Sequence, residues 1–226
     1  MVRESEHTYK RRSRGLEFDR LSFFTDAVFA ISMTLLVVAL DPPTFAERVV
    51  GDTALLSAVW NDSTRLFSFF LAFLLLGRYW IAHHTFYASL DRIDDALIGW
   101  SLVYLAFVAF LPFPTDLLGE FDGNGGASAL FALNMALISA LEVVMFRRAH
   151  QAGLMRNSLS PHAYRFALRI STAPVVLFVL SIPVAFAYAY AAQGMWIASL
   201  ILSWWWIRRA SNTTRDEIRR MADDSE

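Results

Sequence analysis

The side chains that could carry chemistry are ionisable groups inside apolar runs of the sequence: Asp26, the adjacent His83 and His84, and Glu142. Two histidines suggest a metal site, but neighbouring residues on a helix point about 100° apart. No carboxylate lies at a spacing that completes a known metal signature, so we expect no bound metal. Ionisable groups at membrane depth are costly and usually mark ion or proton pathways or interhelical pairs. Glu142 is either such a proton site or a group paired near the membrane interface.

No sequence pattern of an enzyme is present. The chain has no cysteine, and it contains no G-x-S-x-G, P-loop or H-E-x-x-H motif. We therefore expect no enzymatic activity and no cofactor. A proton-coupled secondary transporter of a small ion, with its site at Asp26, His83 or Glu142, remains an alternative. It receives little support, because we find neither an internal repeat nor an interrupted helix.

The elements that hold these side chains are long apolar runs. Hydrophobic residues make up 56% of the 226 residues, and the mean hydropathy is +0.40, both high for a soluble domain. A run of about 20 apolar residues is long enough to cross a bilayer as a helix. The sequence predicts an all-α integral membrane protein with six transmembrane helices, at residues 21–40, 64–87, 95–112, 127–147, 168–190 and 194–208.

The distribution of basic residues predicts the orientation of these helices. If the N-terminus is cytoplasmic, most arginines and the single lysine fall on the cytoplasmic side and the outer loops are mostly acidic, which is the positive-inside pattern. An even number of spans then places the C-terminus in the cytoplasm as well. We expect a basic cytoplasmic segment at residues 1–20, a transmembrane domain at residues 21–209 and a charged cytoplasmic tail at residues 210–226.

Polar residues at the start of the first span predict a brace between helices. Arg20 and Asp26 point to different sides of the helix, since six residues correspond to about 600° of rotation, so each should find its partner on another helix. The candidate partners are at a similar depth in or just after the second span: Arg78, His83, His84, Asp91, Asp94 and Asp95. Alternatively, Arg20 extends its side chain to the membrane interface.

The same region resembles a known family. Arg20, Phe24, Thr25 and Asp26 stand as R-x-x-x-F-T-D, followed by A-V-F-A-I-S-M-T-L-L, which is similar to the signature of the transmembrane protein 175 family of potassium channels, in its single-repeat bacterial branch. The motif W-x-x-H-H-x-F, from Trp80 to Phe86, and the segment F-V-A-F-L-P-F-P-T-D-L-L at residues 107–118 resemble the same family.

Three positions depart from the family pattern. Thr25 replaces the usual serine and keeps the hydroxyl, and Ala27 replaces a frequent glycine. Gly99-Trp100-Ser101 occupies the place where an asparagine is expected early in the third span.

The resemblance implies a homotetramer in a bacterial plasma membrane, in contact with the lipid bilayer, with the first helices around a central potassium pore. It implies no nucleic-acid partner, and no cofactor besides the permeant potassium ion. No T-V-G-Y-G filter sequence occurs. The family's pore narrows at apolar rings, and the matching positions here are Ile31, Leu35 and Val38, with Thr34 beside them.

Helix geometry permits this pore, because spacings of four and three residues place Ile31, Leu35 and Val38 on one stripe. Periodicity alone favours ordinary helix packing or lipid contact for this stripe, and only the resemblance to the family favours the pore. One turn further, Asp41 would place four carboxylates at the outer mouth of a tetramer. Such acidic rings raise the local concentration of cations.

Overall fold

The computed structural model describes the backbone of residues 2–38, 40–43, 45, 51–157 and 159–209, and the side chains of residues 18–38, 40–43, 45, 51–157 and 159–201. The predicted tail at residues 210–226 lies outside the described residues. Within the described part the regular structure is helical, which confirms the all-α fold class. The helices are α1 (Val2–Val38), α2 (Asp52–Asn61), α3 (Ser63–Ala88), α4 (Asp95–Phe110), α5 (Pro112–Glu120), α6 (Gly125–Gln151), α7 (Pro161–Ala187) and α8 (Ala189–Arg209).

Helix α1 contains the first apolar run and continues without a break into the segment at residues 1–20. One side of it is fully buried: Thr25, Phe29, Ser32 and Leu36 are each at most 2% exposed. Their spacing places them on one stripe, and this stripe packs against α3, α4 and α5. The two hydroxyls donate hydrogen bonds of 2.8 Å to carbonyls four residues earlier, so neither is left unsatisfied in the apolar core.

The third span is longer than predicted. Helix α4 ends at Phe110, and α5 begins two residues later at Pro112. Proline is tolerated at the start of a helix, where its missing N–H is not needed, and the Thr115 amide donates to the Leu111 carbonyl at 3.2 Å. The two helices form one apolar stretch of 26 residues, Asp95–Glu120. The prediction that this span ends at residue 112 was therefore wrong.

Helix α6 is the most buried of the long helices in the described part. Asn124 begins it by accepting hydrogen bonds from the Gly126 and Ala127 amides at 2.8 and 3.1 Å, a typical N-cap. At Gly125 the backbones of α6 and α7 come very close, since a Cβ there would lie 2.8 Å from the Ala185 carbonyl oxygen. Only glycine fits this crossing without a shift of backbone.

Helices α7 and α8 form a hairpin whose turn lies at Tyr188, in an extended conformation with φ −150° and ψ 90°. The predicted spans at residues 168–190 and 194–208 placed this turn at residues 191–193, three to five positions later. The hairpin is fixed by a buried hydrogen bond of 2.8 Å from the Trp196 indole N–H to the Ser181 hydroxyl.

Five helical stretches of the described residues are long and apolar enough to cross a membrane: Phe18–Val38, Ser63–Ala88, Asp95–Glu120, Gly125–Gln151 and Pro161–Ala187. They correspond to the first five predicted spans. The sixth predicted span falls on α8, which is not among these five and whose side chains are described only to residue 201. The six-span count and the location of the termini therefore stay predictions.

The α3–α4 and α6–α7 connections meet at one end of the bundle. The Asp91 amide donates to the Leu154 carbonyl and the Arg156 amide to the Ser89 carbonyl, both at 2.9 Å. We call this the basic end, after Arg92, Arg147, Arg148, Arg156 and Arg165. The other end, the acidic end, carries Asp41, Asp62, Asp116, Glu120 and Asp122.

Asp94 fixes the start of α4 at the basic end. Its carboxylate accepts one hydrogen bond from the Leu97 amide at 2.8 Å and another from the Arg148 guanidinium at 2.6 Å. Burial alone would raise the pKa of Asp94, but the Leu97 amide and the Arg148 charge stabilise the carboxylate, and its pKa lies below the ordinary value. This residue therefore joins α4 to α6 while it remains ionised.

Candidate functional site

The predicted pore stripe lies on the side of α1 that faces away from the rest of the subunit. Ile31, Leu35 and Val38 are 58%, 44% and 70% exposed, so they are not part of packing within the described subunit. Val37 is also half exposed although it lies on another side of the helix. The exposed surface of α1 is thus broad, and different parts of it can contact different surroundings.

Thr34 lies within the same exposed arc. Its hydroxyl donates a hydrogen bond to the Ile31 carbonyl at 2.8 Å. With its proton turned toward the backbone, the oxygen presents lone pairs to whatever lies outside the helix. Such an oxygen can accept a hydrogen bond or contact a cation, whereas the neighbouring leucine and isoleucine side chains cannot.

Asp26 has its partner on α3, but this partner is not one that the sequence indicated. The Trp80 indole N–H donates to the Asp26 carboxylate at 2.9 Å. The Trp80 ring lies 5.7 Å from the exposed His84 ring, so these three side chains form one cluster that joins α1 to α3. Arg20 is exposed, and no ion-pair partner for it lies among the described residues. Phe24 is also half exposed, close to the start of the stripe.

His83 and His84 point in different directions. His83 is 2% exposed and stacks on Tyr104 with ring centroids 4.8 Å apart and planes 5° apart. Its other aromatic neighbours are Tyr87 at 4.5 Å, Phe29 at 5.8 Å and Phe86 at 6.4 Å. Within the described part of the chain, no three histidine, aspartate or glutamate side chains are placed to hold a metal ion. His83 thus acts here as an aromatic packing residue behind α1.

A buried polar network beside His83 was missed by the sequence analysis. The Tyr87 hydroxyl donates to the Ser101 hydroxyl at 2.7 Å, and that hydroxyl donates to the Leu97 carbonyl at 2.7 Å. Ser101 belongs to the Gly99-Trp100-Ser101 segment that departs from the family pattern. A polar side chain is therefore present at this level of α4, and the departure itself was the signal that could have found it.

A charged cluster lies at the acidic end, where Asp41 was predicted at the outer mouth. Arg65 is placed among three carboxylates: Asp41 at 3.8 Å, Asp62 at 3.4 Å, and Glu120 in close contact. The Asp41 side chain is 83% exposed. One guanidinium against three carboxylates leaves this cluster with a net negative charge. The sequence analysis had not assigned Arg65 any role.

Glu142 lies in a separate cavity of about 310 Å³ between α3, α6 and α7. Arg78 lines the same cavity, and the remaining walls are mainly apolar. None of the described residues that line it belongs to α1. Glu142 is thus half-buried in this cavity and apart from the exposed stripe.

These features define a class of protein: a bundle of membrane-crossing helices whose first helix leaves a broad apolar side unpartnered. The fold is similar to a solved structure described as a lysosomal potassium-selective channel TMEM175 homolog from Chamaesiphon minutus. The TM-score is 0.71 at 23% identity, over 85% of this chain and 97% of that chain. The chain therefore has the helical fold of a membrane channel.

Two proteins that are named as potassium channels are similar to this chain in sequence. A protein from Chamaesiphon minutus named as a potassium channel is 29% identical over 149 residues, which are 66% of this chain and 72% of that protein. One from Streptomyces collinus, also named as a potassium channel, is 31% identical over 131 residues, or 58% of this chain and 62% of that protein.

Residues 20–112 match the family described as endosomal/lysosomal potassium channel TMEM175. The match includes the motif at Arg20–Asp26 and agrees with the resemblance seen in the sequence. The matched family and both relatives are named as channels.

Proposed function

We propose that this protein is a potassium channel that conducts passively through a central pore lined by α1. The proposal draws on the relatives, which are named as potassium channels, and on one observation of the structure. The apolar stripe of Ile31, Leu35 and Val38 is exposed, while the opposite side of the same helix is buried against α3, α4 and α5. A helix packed in this way can face a pore without losing its support.

The pore requires several copies of the chain, and we infer a homotetramer with the four α1 helices around its axis. The exposed arc of α1 supports this arrangement. Part of the arc, at Ile31, Leu35 and Val38, would face the axis, while half-exposed Val37 on another side of the helix would contact the neighbouring subunit. Native mass spectrometry of the purified protein gives the copy number directly, and a monomer or dimer would exclude this pore.

The proposed constriction limits conduction because the pore is narrow there and because its apolar wall excludes water. Rings of apolar side chains limit conduction by excluding water, and four copies of Leu35 with four of Ile31 and Val38 would make such rings. The Thr34 oxygens would then face an ion that has lost part of its water. At the outer mouth, Asp41 and its acidic neighbours would raise the local concentration of cations, an effect that salt screens.

The motif residues position α1 rather than contact the ion. The Asp26–Trp80 hydrogen bond links the membrane-spanning part of α1 to α3, and Thr25 is buried on the same helix. His83 packs behind α1 against Phe29, and His84 supports Trp80. In this proposal Arg20 and Phe24, both exposed in the single subunit, meet the neighbouring subunit or the membrane interface.

The membrane arrangement of the proposal has six spans, with α8 as the sixth and both termini in the cytoplasm of a bacterial cell. The segregation of arginines to the basic end supports this orientation through the positive-inside rule. The transmembrane domain then covers residues 21–209, between a basic segment at residues 1–20 and a charged tail at residues 210–226. Protease protection of tags placed at each terminus in membrane vesicles tests it. A tag cleaved from the outside would contradict the six-span topology.

The function is tested with purified protein in a planar bilayer, with potassium on one side and sodium on the other. A potassium channel gives current that follows voltage and reverses at a potential that is negative on the potassium side. Saturable exchange that depends on a proton gradient, with no unitary currents, would contradict the proposal and favour the proton-coupled transporter.

A further inference from the structure

The first turns of α7 form a basic cavity on the surface of the bundle. His162, Arg165, Phe166 and Arg169 line a cavity of about 140 Å³ at the basic end. The Arg165 Nε donates to the Pro161 carbonyl at 3.1 Å. This bond holds the guanidinium at one place on the helix and leaves its two terminal nitrogens available as donors.

The positive charge of this cavity is not balanced by the residues that the structure describes. Arg165 and Arg169 are one helical turn apart, a spacing at which like charges repel. Both side chains are exposed, and no carboxylate among the described residues lies within ion-pair distance of either of them. An anion between the two guanidiniums would relieve this repulsion.

The surface continues from the cavity as an apolar stripe along α7. Val176, Leu180 and Pro183 follow Arg169 at spacings of seven, four and three residues, which keep them on the same side of the helix, and all three are exposed. The stripe runs toward the acidic end, through the part of α7 that is apolar enough to cross a membrane. Two basic groups at the head of an apolar stripe match the charge and shape of a phospholipid.

We propose that this side of α7 binds an anionic phospholipid, with its phosphate at Arg165 and Arg169 and an acyl chain along Val176 and Leu180. Arginine pairs with phosphate through two parallel hydrogen bonds, and basic sites at the cytoplasmic side of membrane proteins typically hold anionic lipid head groups. The occupant is a membrane lipid rather than a soluble anion, because the stripe offers it an apolar contact as well.

The test uses the whole protein in detergent, with phosphatidylglycerol or phosphatidylcholine added in turn. Lipid-bound protein is measured by native mass spectrometry, and thermal unfolding of the oligomer gives the stabilisation. We expect phosphatidylglycerol to bind at least about tenfold more tightly than phosphatidylcholine. Arg165→Gln with Arg169→Gln should remove most of this preference, whereas Arg165→Lys with Arg169→Lys should retain it. Arg147→Gln, which removes an exposed arginine outside the cavity, is the matched control.

Several outcomes overturn the proposal. Equal affinity of the wild-type protein for the two lipids excludes a charge-selective site, and this measurement does not depend on any variant folding. The same loss in Arg147→Gln would show a general effect of net charge. Glycerol phosphate that stabilises the protein as strongly as phosphatidylglycerol would show a soluble-anion site instead. Potassium flux of the variants reports separately on conduction, so a failure here leaves the proposed channel function untouched.

Discussion

Leu35 and Leu36 are adjacent residues of the same type, but the structure assigns them opposite roles. Leu35 is 44% exposed on the proposed pore stripe, and Leu36 is 1% exposed in the packing of α1 against its neighbours. Changing each to alanine removes the same atoms from the same helix. Any difference between the two variants therefore reports on their surroundings rather than on helix propensity or hydrophobicity.

Leu35→Ala should raise unitary conductance and weaken the discrimination between potassium and sodium. The change removes three carbons per subunit from a ring that restricts water. If the barrier fell by the equivalent of only one methylene group, about 0.8 kcal/mol, the rate over it would rise about fourfold. Stability should change little, because Leu35 makes few contacts within the subunit.

Leu36→Ala should lower the stability of the protein and leave permeation unchanged. Truncation of a buried leucine typically costs about 2–5 kcal/mol through the cavity that it leaves, so the thermal unfolding temperature should fall. The conductance and reversal potential of the channels that remain folded should match wild type. Both variants are measured in planar bilayers under a potassium–sodium gradient, with size-exclusion chromatography and thermal unfolding in detergent. An unchanged conductance in Leu35→Ala, or a permeation change in Leu36→Ala that equals it, would refute the assignment of the stripe.

The other predictions concern the two ends of the bundle and the contacts that position α1 and α7 against their neighbouring helices. Asp41→Asn should lower the inward cation current at low ionic strength and have little effect at high salt, measured as conductance over a salt series. Gly125→Ala should lower the unfolding temperature strongly, since its Cβ would lie 2.8 Å from a backbone oxygen, whereas Gly99→Ala should not, since nothing lies within 4 Å of its Cβ. Trp80→Phe should destabilise the oligomer by removing the hydrogen-bond donor to Asp26 on α1, with ion preference unchanged in bilayer recordings. The lowered pKa of Asp94 stabilises the fold at pH values above its ordinary pKa of about 3.9, and this contribution is lost as the pH falls through the lower value of the folded protein. Asp94→Asn should therefore flatten the dependence of unfolding temperature on pH below about pH 4.

The sequence predicted the long helices well because their signal is local. Twenty or more consecutive apolar residues have few alternatives to a membrane-crossing helix, and the first five predicted spans agree with the helices observed. The boundaries that failed depend on longer-range packing. Pro112 indicated the end of a helix, yet α5 continues because proline suits a first helical position. The turn at Tyr188 was misplaced because the flanking alanines are compatible with either helix.

The contacts between helices were harder to predict than the helices themselves. Helix geometry showed that Asp26 needs a partner on another helix, but it could not choose Trp80 over Arg78 or His84. That choice depends on the rotation of α3 relative to α1, which periodicity does not fix. The exposure of the Ile31–Val38 stripe also depends on tertiary packing. Periodicity alone favoured ordinary packing or lipid contact for this stripe, and only the family resemblance favoured the pore.

The backbone pairing between the α3–α4 and α6–α7 connections has a mechanical consequence. The hydrogen bonds of the Asp91 and Arg156 amides join the α3–α4 hairpin to the α6–α7 hairpin at the basic end. Movements that open the subunit at this end must first break those bonds. Slow hydrogen exchange at both amides, retained while ions are conducted, would show that the two hairpins turn as one body and leave α1 as the element able to shift against them.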